Sequence, residues 1–90
     1  MIVNFLRFDL GHQEGGEIVG VTLTRGANVR LLDSSNFSDY TAGRSYRYQG
    51  GLAQQSPVRI GIPSSGIWHL IVDMQGLRGS PDASVRVLQG

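Results

Sequence analysis

Apolar positions along this chain fall in short runs that alternate with polar ones and are separated by glycine. The runs are Ile2–Leu10, Glu17–Thr24, Ala27–Asp33, Arg44–Gln49, Pro57–Ile62, Ile67–Asp73 and Ala83–Leu88. Gly11, Gly15-Gly16, Gly26, Gly43, Gly50-Gly51, Gly66, Gly76 and Gly79 punctuate them. Runs of this length between breakers predict β-strands, and no segment carries an apolar stripe at helical spacing over a helix's length. Period-two alternation puts Val19, Val21 and Leu23 on one side of their strand. It does the same for Val29 and Leu31; for Val58, Ile60 and Ile62; for Trp68, Leu70 and Val72; and for Val85 and Val87. These are the predicted core.

Seven strands are expected, or eight at most. They suit a small antiparallel β-sandwich of jelly-roll-like character, with residues 1–90 forming one domain. Arg25-Gly26 before Asn28-Val29 predicts a tight hairpin between the second and third strands. The longest connection, Ser34–Gly43, has room for one helical turn capped by Ser34 or Ser35. The first strand is apolar on both sides, with Ile2, Leu6, Phe8 and Leu10 on one and Val3 and Phe5 on the other. A strand of that kind is central, covered by a loop, or part of a dimer contact, and a homodimer through it is one expectation.

Composition narrows the class without naming a function. Leu, Ile, Val and Phe make up 26 of 90 residues, enough for a folded chain. Cysteine is absent, so disulfides and cysteine-ligated metals play no part, and a reducing compartment suits the chain. Asn4, Arg7 and Asp9 interrupt the apolar N-terminus, unlike a signal peptide, and no run reaches the ~20 residues of a membrane span. The expected localisation is the cytoplasm, with no membrane partner. The net charge of +1 implies no bulk attraction to nucleic acid, although all eight basic residues are arginine.

Few residue groups point to chemistry. Asp33, Ser35, Asn36 and Asp39 form an oxygen-rich stretch that suits calcium or carbohydrate, but it lacks the glycine and bidentate glutamate of an EF-hand loop. Arg44-Ser45-Tyr46-Arg47-Tyr48 interleaves arginine and tyrosine like a nucleic-acid platform. Alternation instead turns Tyr46 and Tyr48 inward, which argues against nucleic acid. His69 and Asp73 share an outward face roughly 13 Å apart along a strand, too far for a direct pair. No Gly-x-Ser-x-Gly elbow supports a small hydrolase, and His12 and His69 have no zinc spacing. Neither a metal nor a cofactor is expected, and no catalytic residue is assigned.

One triplet recurs: Val29-Arg30-Leu31, Val58-Arg59-Ile60 and Val85-Arg86-Val87. Each places an arginine outward between two inward residues. Arg30, Arg59 and Arg86, with His69 and Asp73 nearby, are therefore the candidate binding residues for an anionic ligand or a protein partner. Whether the three strands share a sheet is left open by the sequence.

Several stretches also carry a family resemblance. They are Phe8-Asp9-Leu10-Gly11-His12, Asn28-Val29-Arg30-Leu31-Leu32-Asp33, Ser35-Asn36-Phe37, Tyr48-Gln49-Gly50-Gly51, Ser56-Pro57-Val58-Arg59 and Trp68-His69-Leu70-Ile71-Val72-Asp73. Through them the chain resembles DUF1883, a small bacterial family of unknown function. The resemblance implies a compact β-sandwich and brings no assigned activity. Some members are joined to a TIR domain, which implies a sensing or interaction role. A looser likeness, through Gly66-Ile67-Trp68, is to the jelly-roll-like domains that end secreted bacterial peptidases; it transfers no function. The expectation is a non-enzymatic binding, interaction or sensing module.

Overall fold

A computed structural model describes residues 5–74 and 82–89. Seven strands and one helix follow in the order β1 (Phe5–Gln13), β2 (Ile18–Leu23), β3 (Ala27–Asp33), α1 (Ser34–Ala42), β4 (Gln49–Ala53), β5 (Val58–Gly61), β6 (Gly66–Asp73) and β7 (Ala83–Leu88). They build two antiparallel sheets. One has four strands in the order β1-β6-β3-β4, the other three in the order β5-β2-β7. The fold is thus a small all-β sandwich, as the alternation predicts.

The core lies between the sheets. Val19, Val21, Leu23, Ala27, Val29, Leu31, Ile60, Ile62, Trp68, Leu70, Val72 and Met74 are buried there, and Leu6, Phe8, Leu10, Val58 and Val85 pack against them. Trp68 is 6% exposed and donates its indole N–H to the Ser64 carbonyl at 3.0 Å, so its one polar atom is satisfied. Val87, expected inside, is exposed because β7 is an edge strand of the smaller sheet.

Three local expectations are corrected. First, β2 and β3 do not form a hairpin. Residues 24–26 carry the chain from one sheet to the other, since each strand already has two partners in its own sheet.

Second, the fourth strand is Gln49–Ala53 rather than Arg44–Gln49. Tyr46 and Tyr48 do not point into the sandwich: Tyr46 packs beside Tyr40, and Tyr48 is exposed beside Arg30. The glycine pair that reads as a break lies inside the strand. Gly50 has φ +111° and lies so close to β3 that a Cβ would overlap the Val29 carbonyl oxygen, so only glycine can form this pairing.

Third, Ser34–Ala42 is a nine-residue helix rather than one turn. Its N-cap is Asp33, not a serine. The Asp33 carboxylate accepts the Asn36 N–H at 2.9 Å, and Gly43 closes the helix at φ +78°.

This helix settles the apolar outer side of β1. Leu32, Ile71 and Tyr40 are buried in a second cluster on the outer face of the four-stranded sheet, with Phe5, Phe37 and Tyr46 packed against them. The Phe5 ring meets Tyr40 edge-on, 5.6 Å between centroids. The dimer expectation rests on Phe5 and Val3 being bare. Phe5 is covered within its own chain, and Val3 lies outside the described residues.

Candidate functional site

The helix-covered face holds two polar groups. Asp73, at the end of β6, is fully buried. Its carboxylate is ion-paired with Arg30 of β3, accepts the Tyr40 hydroxyl at 2.9 Å and accepts the Asn28 side-chain amide at 3.0 Å. The Tyr48 ring lies 5.4 Å from the Arg30 guanidinium. Burial, together with donation to Asp73, raises the Tyr40 pKa well above the ordinary tyrosine value.

The second group surrounds His69, which is 4% exposed. Phe37 stacks on its ring at 4.7 Å, Ser34 Oγ lies 2.9 Å from Nε2, and Arg7 Nε lies 3.4 Å from Nδ1. Arg7 also reaches Asp9 at 3.5 Å and lies over the Phe37 ring at 4.9 Å. A guanidinium can only donate, so Nδ1 accepts and the imidazole proton sits on Nε2, directed at Ser34 Oγ. That is the reverse of a nucleophile–base pair, in which the imidazole nitrogen must accept the serine proton. Burial, and then the charge of Arg7, push the His69 pKa below its ordinary value against the opposing pull of Asp9 and Asp33.

The oxygen-rich stretch does not form a cage. The Asp33 carboxylate is used by the Asn36 backbone and side-chain amides, and Asp39 is paired with Arg44 at 2.9 Å. Ser35 is an exposed helix residue. Among the described residues, no three His, Cys, Asp or Glu side chains are grouped so as to hold a metal ion. A cleft of about 70 Å³ lies beside the helix start, lined by Leu31, Asp33, Asn36, Arg47, Tyr48, Gln49 and Trp68. Metabolite pockets run to about 300–1,000 Å³, so this one is small.

The candidate arginines separate. Arg30, His69 and Asp73 lie on the outer face of the four-stranded sheet, beneath or beside α1. Arg59 and Arg86 lie on the outer face of the other sheet, on the opposite side of the sandwich. The five do not form one surface, because β3 and β6 belong to one sheet and β5 and β7 to the other.

Arg59 and Arg86 do come together. Both are in register with Gly20 of the central strand β2, one from each side, about 10 Å apart at the backbone. Gly20 has no side chain to fill the space between them, and the aliphatic stem of Arg86 borders it. Ile18, Gly61 and Leu88 form the next row on one side, and Thr22 and Ser84 the next on the other. Both arginines are exposed, and neither makes an ion pair among the described residues. The nearest carboxylate along β7, Asp82, is four residues from Arg86, about 13 Å along the strand, and takes the Thr24 hydroxyl at 3.3 Å. Sequence reading finds both arginines and overlooks their shared floor. The available signal is a glycine in mid-strand between Val19 and Val21, which marks a place where another group approaches closely.

Fold and surface together define a small two-sheet β-sandwich with one outer face closed by a helix and the other uncovered among the described residues. The chain belongs to the DUF1883 family, a domain of unknown function, whose family model matches residues 3–90. No match is found among curated proteins or among solved structures. Among the described residues, no helix is long and apolar enough to cross a membrane.

Proposed function

We propose that this chain is a non-enzymatic binding module that takes an anionic partner on the open face of its three-stranded sheet. The observation that carries this is the pair Arg59 and Arg86, two exposed arginines in register with Gly20 from either side, neither in an ion pair among the described residues. A net charge of +1 conceals them, because the acidic residues lie elsewhere. Paired guanidiniums suit carboxylate or phosphate oxygens through parallel hydrogen bonds. The reversed Ser34–His69 polarity favours binding over hydrolysis. A cytoplasmic setting belongs to the same proposal and rests on the cysteine-free sequence.

Retention on immobilised polyglutamate tests the reading. The wild type should be retained and elute with salt, as exposed charge pairs are screened. The double variant Arg59→Gln/Arg86→Gln should pass through. Arg44→Gln/Arg47→Gln, which lowers net charge equally on the helix side, should still be retained. Equal loss in both double variants would mean that net charge alone acts and the face is not a site.

A further inference from the structure

Resting on that anionic-partner reading, we infer that the open face binds an extended acidic peptide laid along β2, with an apolar residue, an Asp or Glu two positions on, and a small hydroxyl residue two further. Charge complementarity points to the acid. Arg59 and Arg86 flank one position with no side chain from opposite strands, so a carboxylate laid over Gly20 is within the span of both long side chains.

The neighbouring rows define the rest. Along β2, rows facing outward repeat every two residues, about 7 Å. Ile18 and Leu88 form an apolar row, Arg59-Gly20-Arg86 a cationic one, and Thr22 with Ser84 a hydroxyl one. Leu88 is 40% exposed, an apolar group in solvent at the end of the cationic furrow. An extended peptide presents residues i, i+2 and i+4 on one side with the same spacing, so each side chain meets a row of matching chemistry.

The peptide docks through side chains rather than as an added strand. The backbone of β2 is already paired with β5 and β7 on both sides. A nucleic acid is disfavoured, because among the described residues no aromatic ring stands on this face for bases to stack on and Arg59 and Arg86 are the cations there for phosphates.

The test uses the full chain and a blocked peptide Leu-Ala-Glu-Ala-Ser, followed by amide chemical shifts and a titrated dissociation constant. The expected shifts centre on Gly20, Arg59, Gly61, Arg86 and Leu88. Affinity should fall at least tenfold with Gln in place of the peptide Glu, or in Arg59→Gln/Arg86→Gln. It should fall several-fold for Leu-Ala-Ala-Glu-Ser, which throws Leu and Glu to opposite sides.

Equal binding of the in-frame and shifted peptides, or no binding at millimolar peptide, overturns the inference. The anionic-partner reading then still stands if polyglutamate is retained through Arg59 and Arg86. A phosphoserine peptide bound more than tenfold tighter than the glutamate peptide overturns the carboxylate assignment. Peptide shifts confined to the helix side overturn both.

Discussion

The two outer faces of the sandwich use the same triplet to opposite ends. In Val29-Arg30-Leu31 the arginine points out of the core, yet it is covered. The helix packs over Leu32 and Ile71, and Arg30 is paired with the fully buried Asp73. In Val58-Arg59-Ile60 and Val85-Arg86-Val87 the arginines also point out of the core, but among the described residues no element covers them and no carboxylate is paired with them. An arginine's role on a strand is therefore decided by what lies above it. A covered arginine has lost water and must be compensated, whereas an open one keeps its water and is available to a partner.

The largest effect should come from breaking the covered pair. Asp73→Asn leaves Arg30 without its counter-ion, and breaking a buried pair in this way costs about 3–5 kcal/mol. Arg59→Gln should change stability by no more than about 0.5 kcal/mol, as surface substitutions usually do. Urea denaturation of both variants checks the contrast. Similar losses for the two would erase the distinction between the faces.

Gly50→Ala probes how the helix-side sheet is completed. The backbone at φ +111° is strained for any side chain, which costs about 1–3 kcal/mol, and the overlap with the Val29 carbonyl adds to it. A thermal melt within a degree or two of wild type would mean that β4 does not approach β3 so closely.

Tyr40→Phe isolates the link between helix and buried carboxylate. It removes one donor from Asp73 while keeping the ring against Phe5 and Tyr46, and a hydrogen bond to a charged group is worth about 1.5–3 kcal/mol. The same denaturation assay reads it. A double variant Tyr40→Phe/Asp73→Asn no less stable than Asp73→Asn alone would show that the two residues act as one unit.

Acid should weaken the covered face first. The His69 pKa is lower in the fold than in the unfolded chain, so the unfolded state takes up the proton first as pH falls below about 6.5. Stability should decline from that pH downward, with a slope of at most about 1.4 kcal/mol per pH unit for one proton. His69→Gln should flatten that part of the profile. A second decline belongs to Glu17, whose carboxylate accepts the N–H groups of Glu14 and Gly15 and is thereby held below its ordinary value. That contribution is present above the unfolded value of 4.5 and is lost as pH drops through the folded one. Stability independent of pH between 7 and 5.5 would remove His69 from the account.

Much of the core was legible in the chain because period two needs only neighbours in sequence. Val19, Val21, Leu31, Trp68, Leu70 and Val72 declare their side by alternation alone, and burial follows once any second sheet covers them. The strand count, the antiparallel sandwich and the outward direction of Arg30, Arg59 and Arg86 come from the same pattern. The helix was harder to read. Its only strong apolar anchors are Phe37 and Tyr40, one turn apart, among serines and aspartates that favour turns equally well. Tertiary structure decided which strands share a sheet, and with that which arginines meet. It also decided that a glycine pair completes a strand, that Asp73 is buried beneath a tyrosine, and that Ser34 faces the protonated nitrogen of His69. Each of these depends on contacts between residues tens of positions apart, and local alternation carries no information about such distances.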